Sequence, residues 1–339
     1  MRYPAFWARR GLLARLLWPL SRLYCAIARR RRAQAMAGAR SSQGVGVPVV
    51  VVGNISVGGT GKTPLIGALV EALRARGFHP GIVSRGYGGR VGPQPRPVLP
   101  DSRAEQVGDE PRLLAQSTGV PVWVHPDRVA AVRALLAAYP ACDLILSDDG
   151  LQHYPLARDV ELAVVDGLRR LGNGWCLPAG PLREGPERLK SVDAVVCNGG
   201  RPAPGEYFMQ LQPFQARRLC DGVVRPLSDF AGRSLHALAG IGHPERFFQS
   251  LRDAGLTLQT HAFPDHHAYT RADLALPGDG PLLMTVKDAV KCAGFDDDRL
   301  WQVEARVELD PRLVPWLIDR LSAVPSFVPP VDLPAAGER

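Results

Sequence analysis

The segment Gly53-Asn54-Ile55-Ser56-Val57-Gly58-Gly59-Thr60-Gly61-Lys62-Thr63-Pro64 constrains this chain more than any other. In front of it runs Pro48-Val49-Val50-Val51-Val52, a β-branched stretch of the kind that forms a buried parallel strand. Behind it, Leu65, Ile66, Leu69, Val70 and Leu73 recur at helical spacing; Pro64 is tolerated in the first turn and Gly77 ends the run. Strand, glycine-rich loop, Gly-Lys-Thr and helix in that order make a phosphate-binding loop. Backbone N–H groups of such a loop curl around phosphate oxygens at a helix N-terminus. The expected nucleotide-binding stretch is Ser56, Val57, Gly58, Gly59, Thr60, Gly61, Lys62 and Thr63. Lys62 supplies a point charge for the β- and γ-phosphates, and the Thr63 hydroxyl can ligate Mg2+. The strict pattern has glycine where this chain has Ser56.

A loop of this kind needs a carboxylate to complete its metal site. Asp143-Leu144-Ile145-Leu146-Ser147 reads as the next buried strand, and it runs into Asp148-Asp149-Gly150-Leu151-Gln152-His153. An acid at the carboxyl end of a hydrophobic strand lies at the ligand-binding edge of an open α/β sheet. A surface turn with two solvated acids is the alternative, but adjacent like charges repel unless a cation sits near them. Four other loops stand out. Ser84-Arg85-Gly86-Tyr87-Gly88-Gly89 carries an arginine and an aromatic on a glycine frame, and Gly108-Asp109-Glu110-Pro111 sets two acids before a helix, where capping is also open to them. Leu177-Pro178-Ala179-Gly180-Pro181-Leu182-Arg183-Glu184 places Arg183 and Glu184 at the end of a Pro/Gly loop, and Phe263-Pro264-Asp265-His266-His267 follows a strand.

Strand patterns at Gly81–Ser84, Pro121–Val124, Val160–Asp166 and Val192–Cys197, with a helix over Arg128–Tyr139, alternate in the manner of a doubly wound, mostly parallel sheet. From about Gly205 the pattern shifts. Strands at Leu235–Ile241, Thr257–Phe263 and Leu282–Thr285, and helices at Pro244–Ala254 and Pro311–Leu321, predict a second, smaller α/β lobe. The expected fold is therefore a P-loop NTPase-like α/β core over 33–205, a smaller C-terminal α/β lobe over 206–339, and an N-terminal amphipathic helix over 1–32.

That helix holds the charge. The formal net charge is +8, yet residues 1–40 contain ten arginines and no acid, so the rest of the chain is nearly neutral. A body-wide nucleic-acid footprint is excluded. Leu12, Leu13, Leu16, Leu17, Leu20, Leu23, Tyr24 and Ile27 recur at three- and four-residue steps, while Arg15 and Arg22 interrupt any spanning run. With Trp7, Trp18 and the Arg29–Arg32 cluster, the arm fits an interfacial anchor on an anionic leaflet; a helix packed on the protein's own body is the alternative. Pro19 is positioned to break it in two, and Ser41–Pro48 reads as a linker. The six cysteines lie far apart with no CxxC pair, which predicts buried free thiols rather than a zinc site or disulfide framework.

Taken in order, VVVVGNISVGGTGKTP, SRGYGG, GDEP, DDGLQHYPLARD, GNGWCLPAGPLRE, RLKSVDAVVCNGG, AGIGHPERFF, FPDHH and MTVKDAVKC resemble the tetraacyldisaccharide 4'-kinase family over roughly residues 48–294. That family carries Ser or Thr at the position of Ser56. It usually shows Glu in the last block, where this chain has Val286. The resemblance implies transfer of the γ-phosphate of ATP to the 4'-hydroxyl of tetraacyldisaccharide 1-phosphate, giving lipid IVA in lipid A synthesis. It implies Asp109 as the base, His266 as the partner that tunes it, and Arg183 on the transferring phosphoryl group. Thr63, Asp148, Asp149 and Glu184 then serve Mg2+, and Arg85, Tyr87, Arg128 and His153 the acceptor. Closure of the two lobes is expected to assemble the site. An acylated acceptor stays in the bilayer, so the expected location is peripheral, on the cytoplasmic face of the bacterial inner membrane, with no nucleic-acid partner.

Two other classes share some of these features. A membrane-associated GTPase would show Asn-Lys-x-Asp, and none of Lys62, Lys190, Lys287 and Lys291 stands in that setting. A non-enzymatic adaptor would leave the GKT, DDG and DHH blocks without a role.

Overall fold

The structure, a computed structural model, describes residues 4–37, 42–264 and 267–330. The chain divides into a larger unit, residues 5–209 with 309–339, and a smaller unit of 210–308 together with 1–4. The C-terminal helix, expected in the lobe over 206–339, groups with the larger unit.

In chain order the larger unit holds α1 (Leu12–Met36), β1 (Val49–Gly53), α2 (Lys62–Arg74), β2 (Pro80–Ser84), β3 (Arg96–Pro97), α3 (Ala104–Val107) and α4 (Asp109–Thr118). It continues with β4 (Val122–Val124), α5 (Arg128–Ala138), β5 (Leu144–Asp148), β6 (Val160–Asp166) and β7 (Ala194–Asn198). Strand β8 (Tyr207–Arg218) leaves it for the smaller unit, where β9 (Val224–Pro226), β10 (Leu235–Ala239), α6 (Pro244–Asp253), β11 (Leu258–Ala262), α7 (Arg271–Leu274), β12 (Leu282–Met284) and α8 (Val286–Cys292) follow. Strand β13 (Leu300–Leu309) brings the chain back to α9 (Leu313–Ser322).

The larger sheet has the order β8-β7-β6-β1-β5-β2-β4-β3. All its neighbours run parallel except β3 against β4. Its central strands are buried along their whole length, as Val49–Val52 and Leu144–Leu146 show, because helices cover both faces. The chain passes from β1 through α2 to one side and reaches β6 on the other, so β1 ends at a topological switch point where ligands bind such sheets. In the smaller unit β11, β10, β12 and β13 are mutually parallel neighbours around a core of Phe230, Phe248, Leu251 and Trp301. The long strands β8 and β13 are among the elements that periodicity does not reveal; β8 carries Pro213 and alternating glutamines, which demote it on propensity alone.

The arm is one continuous helix through Pro19. One face packs on the larger unit, as one of the two sequence readings describes, and the leucine stripe on the other face stays exposed. Ala14 and Ser21 are buried one heptad apart, and the Ser21 hydroxyl donates to the Cys176 carbonyl at 2.7 Å. The Trp7 indole donates to Pro178 O at 2.9 Å, Arg29 pairs with Glu187 at 2.5 Å, and Arg32 donates to Ser191 at 2.7 Å. Two arginines of the Arg29–Arg32 cluster therefore serve docking onto the larger unit. Leu12, Leu16, Leu20, Leu23 and Ile27 remain exposed, Leu16 at 77%. No described helix is long and apolar enough to cross a membrane. Among the described residues the cysteines are free, and all but Cys25 and Cys220 are buried.

Two loops that follow or precede strands and helices at the carboxyl edge pack backbone to backbone. Gly108 holds φ 91°, and a Cβ there would stand 2.5 Å from Tyr87 O; a Cβ on Gly89 would meet the Gly108 N–H at 2.6 Å. Gly108→Ala should therefore lower unfolding free energy by about 1–3 kcal/mol, since strain and overlap add. Urea unfolding of the variant reads this directly, and an unchanged midpoint would mean the two loops separate freely.

Candidate functional site

Residues 54–61 form the turn between β1 and α2, so the expected phosphate loop stands at the switch point of the sheet. Gly61 precedes α2 with φ 98°, a left-handed conformation that glycine adopts without strain. Lys62 and Thr63 open α2, where orphan N–H groups and the helix dipole favour an anion.

Three cations converge on the turn after β5. Lys62 Nζ lies 3.4 Å from Asp149 Oδ1, and Arg183 donates to both Asp149 oxygens at 3.0 and 3.1 Å. Arg128, itself buried, donates to the carbonyls of Asp148 at 3.3 Å and Asp149 at 3.0 Å. Asp149 sits at φ 47°, a left-handed conformation that aspartate tolerates better than most residues. Burial raises its carboxyl, but Lys62 and Arg183 outweigh burial and hold it far below the usual carboxylate range. The acids are not a solvated surface turn.

Asp148 behaves differently. Its Oδ2 accepts from the Ser84 hydroxyl at 2.9 Å, while the buried Oδ1 has no hydrogen-bond partner. Burial pushes this carboxyl upward, Glu110 adds to the effect, and Lys62 opposes it. An orphaned buried carboxylate oxygen within the field of Lys62 suits a hard cation. Among the described residues no group of three or more His, Cys, Asp or Glu side chains could hold a metal alone. Mg2+ bound through one or two carboxylates plus nucleotide phosphates needs no such group.

The segment carrying Arg183 runs beside the phosphate loop. Val57 N donates to Pro181 O at 2.8 Å, Arg183 N donates to Ile55 O at 2.7 Å, and Ser56 bridges to Leu182 in antiparallel sense. This pairing delivers Arg183 to Asp149. Glu184 points elsewhere: its oxygens accept from Tyr154 Oη at 2.5 Å and Gln152 Nε2 at 2.9 Å, with Arg188 Nε 3.6 Å away. Glu184, expected at the metal, thus has Tyr154, Gln152 and Arg188 as its partners, whereas Arg183 reaches Asp149. It holds Gln152, which also donates to Asn54 O at 3.1 Å and so steadies the loop. Arg188 also pairs with Glu161 at 2.6 Å, and Glu161 with Arg158 at 3.0 Å, an alternating ladder of buried and half-buried charge.

Of the expected acceptor residues, Arg85 and Tyr87 lie exposed on the loop after β2, and Arg128 is committed to the Asp148–Asp149 backbone. Arg128 N donates to His153 Nε2 at 3.4 Å. Asp109 is half-buried at the first position of α4, next to Gly108. His266 lies outside the described residues. In the smaller unit Asp288, one helical turn into the block that has Val286, accepts from Gly240 N at 3.1 Å and the Thr285 hydroxyl at 2.6 Å, tying two loops together. Residues that sequence reasoning passed over are Ser84, Gln152 and Asn198, each at or just beyond the carboxyl end of a strand.

Burial, with Arg128 adding, lowers the His153 imidazole from 6.5 to about 4. The unfolded chain therefore binds a proton there that the folded chain refuses between pH 6.5 and 4. Stability should fall as pH drops through that window, and His153→Gln should flatten the fall, as read from urea midpoints at pH 7, 6, 5 and 4. Parallel slopes for both proteins would contradict the assignment.

The sequence profile of the family described as tetraacyldisaccharide-1-P 4'-kinase matches residues 13–322. A tetraacyldisaccharide 4'-kinase of Aromatoleum aromaticum is 50% identical over 94% of this chain and 97% of its own length. One from Alkalilimnicola ehrlichii is 52% identical over 90% and 93% respectively. The structure of LpxK from Aquifex aeolicus in complex with ATP superposes with a TM-score of 0.76 at 27% identity, covering 91% of this chain and 99% of that one. With its phosphate loop, its acid pair and its arginine segment in the family's order and on the family's fold, the chain belongs to the tetraacyldisaccharide 4'-kinase family.

Proposed function

We propose that the chain transfers the γ-phosphate of ATP to the 4'-hydroxyl of tetraacyldisaccharide 1-phosphate, the step that yields lipid IVA in lipid A synthesis. The observation that carries this reading is the convergence of Lys62 and Arg183 on Asp149 at the mouth of the phosphate loop. Phosphoryl transfer asks for positioning and charge neutralisation more than for covalent chemistry. Lys62 exchanges part of its contact with Asp149 for the β- and γ-phosphates, and Arg183 offsets the charge that spreads over the transferring group. Thr63 and Asp148 would hold Mg2+, with Asp149 close by, and that ion would neutralise phosphate charge when bound. Asp109 takes the proton from the acceptor hydroxyl, with His266 as the residue that tunes it. An unassisted aspartate near 3.9 is a weak base for an alcohol, which gives such tuning a purpose.

The acceptor's four acyl chains account for the arm. Each buried CH2 contributes ~0.8 kcal/mol to membrane affinity, so the enzyme goes to the bilayer. We propose peripheral attachment at the cytoplasmic face of the inner membrane through the exposed leucine stripe of α1, whose opposite face stays docked.

Transfer from γ-labelled ATP to tetraacyldisaccharide 1-phosphate tests the reaction. Lys62→Ala should lose at least ~10²-fold in rate with its fold intact, and Asp109→Asn a similar ~10²-fold, being nearly isosteric but unable to take the proton. Near-normal turnover in folded Lys62→Ala would remove the phosphate-loop assignment. The arm is tested by replacing Leu16, Leu20 and Leu23 with serine, which leaves its docking face untouched. Pelleting with anionic vesicles and turnover of vesicle-borne acceptor should both drop while ATP affinity holds. Unchanged pelleting would assign membrane contact to another surface.

A further inference from the structure

Thr60 is gripped by two buried asparagines. Asn54 Nδ2 donates to Thr60 Oγ1 at 3.1 Å, and Asn198 Nδ2 donates to the Thr60 carbonyl at 2.7 Å. Asn54 belongs to the loop itself. Asn198 does not: it ends β7, two places from β1 in the sheet with β6 between them. Its amide also occupies the space a side chain at position 61 would need, since a Cβ on Gly61 would overlap Asn198 Nδ2. A glycine at 61 and an asparagine at 198 therefore fit as a pair.

The consequence follows from peptide geometry. A trans peptide plane points its C=O and its N–H in opposite directions. With the Thr60 carbonyl tied to Asn198, the Gly61 N–H of the same plane faces away from Asn198. The left-handed φ at Gly61 then leads into the right-handed N–H groups of Lys62 and Thr63, the kind of backbone alternation that forms an anion-binding nest. Without this bond the 60–61 peptide is free to rotate and turn a carbonyl dipole toward the anion instead.

We infer that Asn198 is a positioning residue for the phosphate-binding loop, holding the Thr60–Gly61 peptide in the orientation that aims loop N–H groups at nucleotide phosphates. The inference rests on the ATP reading above and adds a determinant from outside the strand–loop–helix motif.

The test uses the full chain as wild type, Asn198→Ala and Asn198→Asp. ATP affinity is measured by calorimetry, and tripolyphosphate and adenosine by competition against ATP. Both variants should weaken ATP and tripolyphosphate about tenfold, the effect of one lost buried hydrogen bond. Adenosine should compete as it does with wild type, and the KM for ATP should rise while that for the acceptor stays put. Asn198→Asp is isosteric and sets a carboxylate against the Thr60 carbonyl, so it carries the test if the alanine variant loses its fold. Wild-type ATP affinity in either folded variant would overturn the inference, as would an equal loss for adenosine. Failure of the wild type itself to bind ATP would instead overturn the nucleotide reading on which the inference stands.

Discussion

The Asp149 carboxylate, held in a left-handed turn between Lys62 and Arg183, organises the larger unit's functional edge. Three segments distant in sequence meet there: the start of α2, the end of β5 and the Pro/Gly segment that pairs with the phosphate loop. Opposite charges at 3.0–3.4 Å in a partly desolvated site attract far more strongly than they would in water. The carboxylate stays ionised because the two cations outweigh its burial. Asp149 thus keeps both cations assembled beside the phosphate loop, and under the proposed reaction they are the charges the nucleotide's terminal phosphates would meet.

Around this pivot the backbone is fixed by contacts that leave little freedom. Gly61 and Gly108 both hold positive φ where any larger residue would collide with a neighbour, the Asn198 amide in one case and the Tyr87 carbonyl in the other. Gln152 and Tyr154 are held by Glu184, which is itself backed by the Arg188–Glu161–Arg158 ladder. Such a ladder is a poor source of net stability, because desolvation offsets most of the attraction. Its value lies in register: each charge is satisfied only if the loop after β5 takes this one path. Asp148 is the exception, a buried acid with one oxygen left without a hydrogen-bond partner.

Much of this was legible in the sequence because local chemistry dictates it. A β-branched run into a glycine loop and Gly-Lys-Thr permits few structures, and Asp148-Asp149 after a hydrophobic strand marks the same sheet edge. What sequence could not show is where polar side chains turn once the chain is folded. Glu184 follows Arg183 directly, yet the two side chains face different partners, since neighbours on an extended segment point to opposite sides. Asn198 and Ser84 gain their roles only through strand order. The arm illustrates the same limit: its leucine stripe was plain, but its small Ala14–Ser21 face, which docks, carries no hydrophobic signature. The long strands β8 and β13 were hidden by polar residues at half-exposed positions, and α9 returns to the larger unit through contacts invisible to periodicity.

A double-mutant cycle between Lys62→Met and Asp149→Asn, read as unfolding free energy in nucleotide-free buffer, addresses the charge pivot most directly. A coupling of at least ~1 kcal/mol is expected between the two positions, shrinking when Arg183→Met is present in the background. Additive effects of the two substitutions would contradict it, for Asp149 would then be holding neither the phosphate loop nor its lysine.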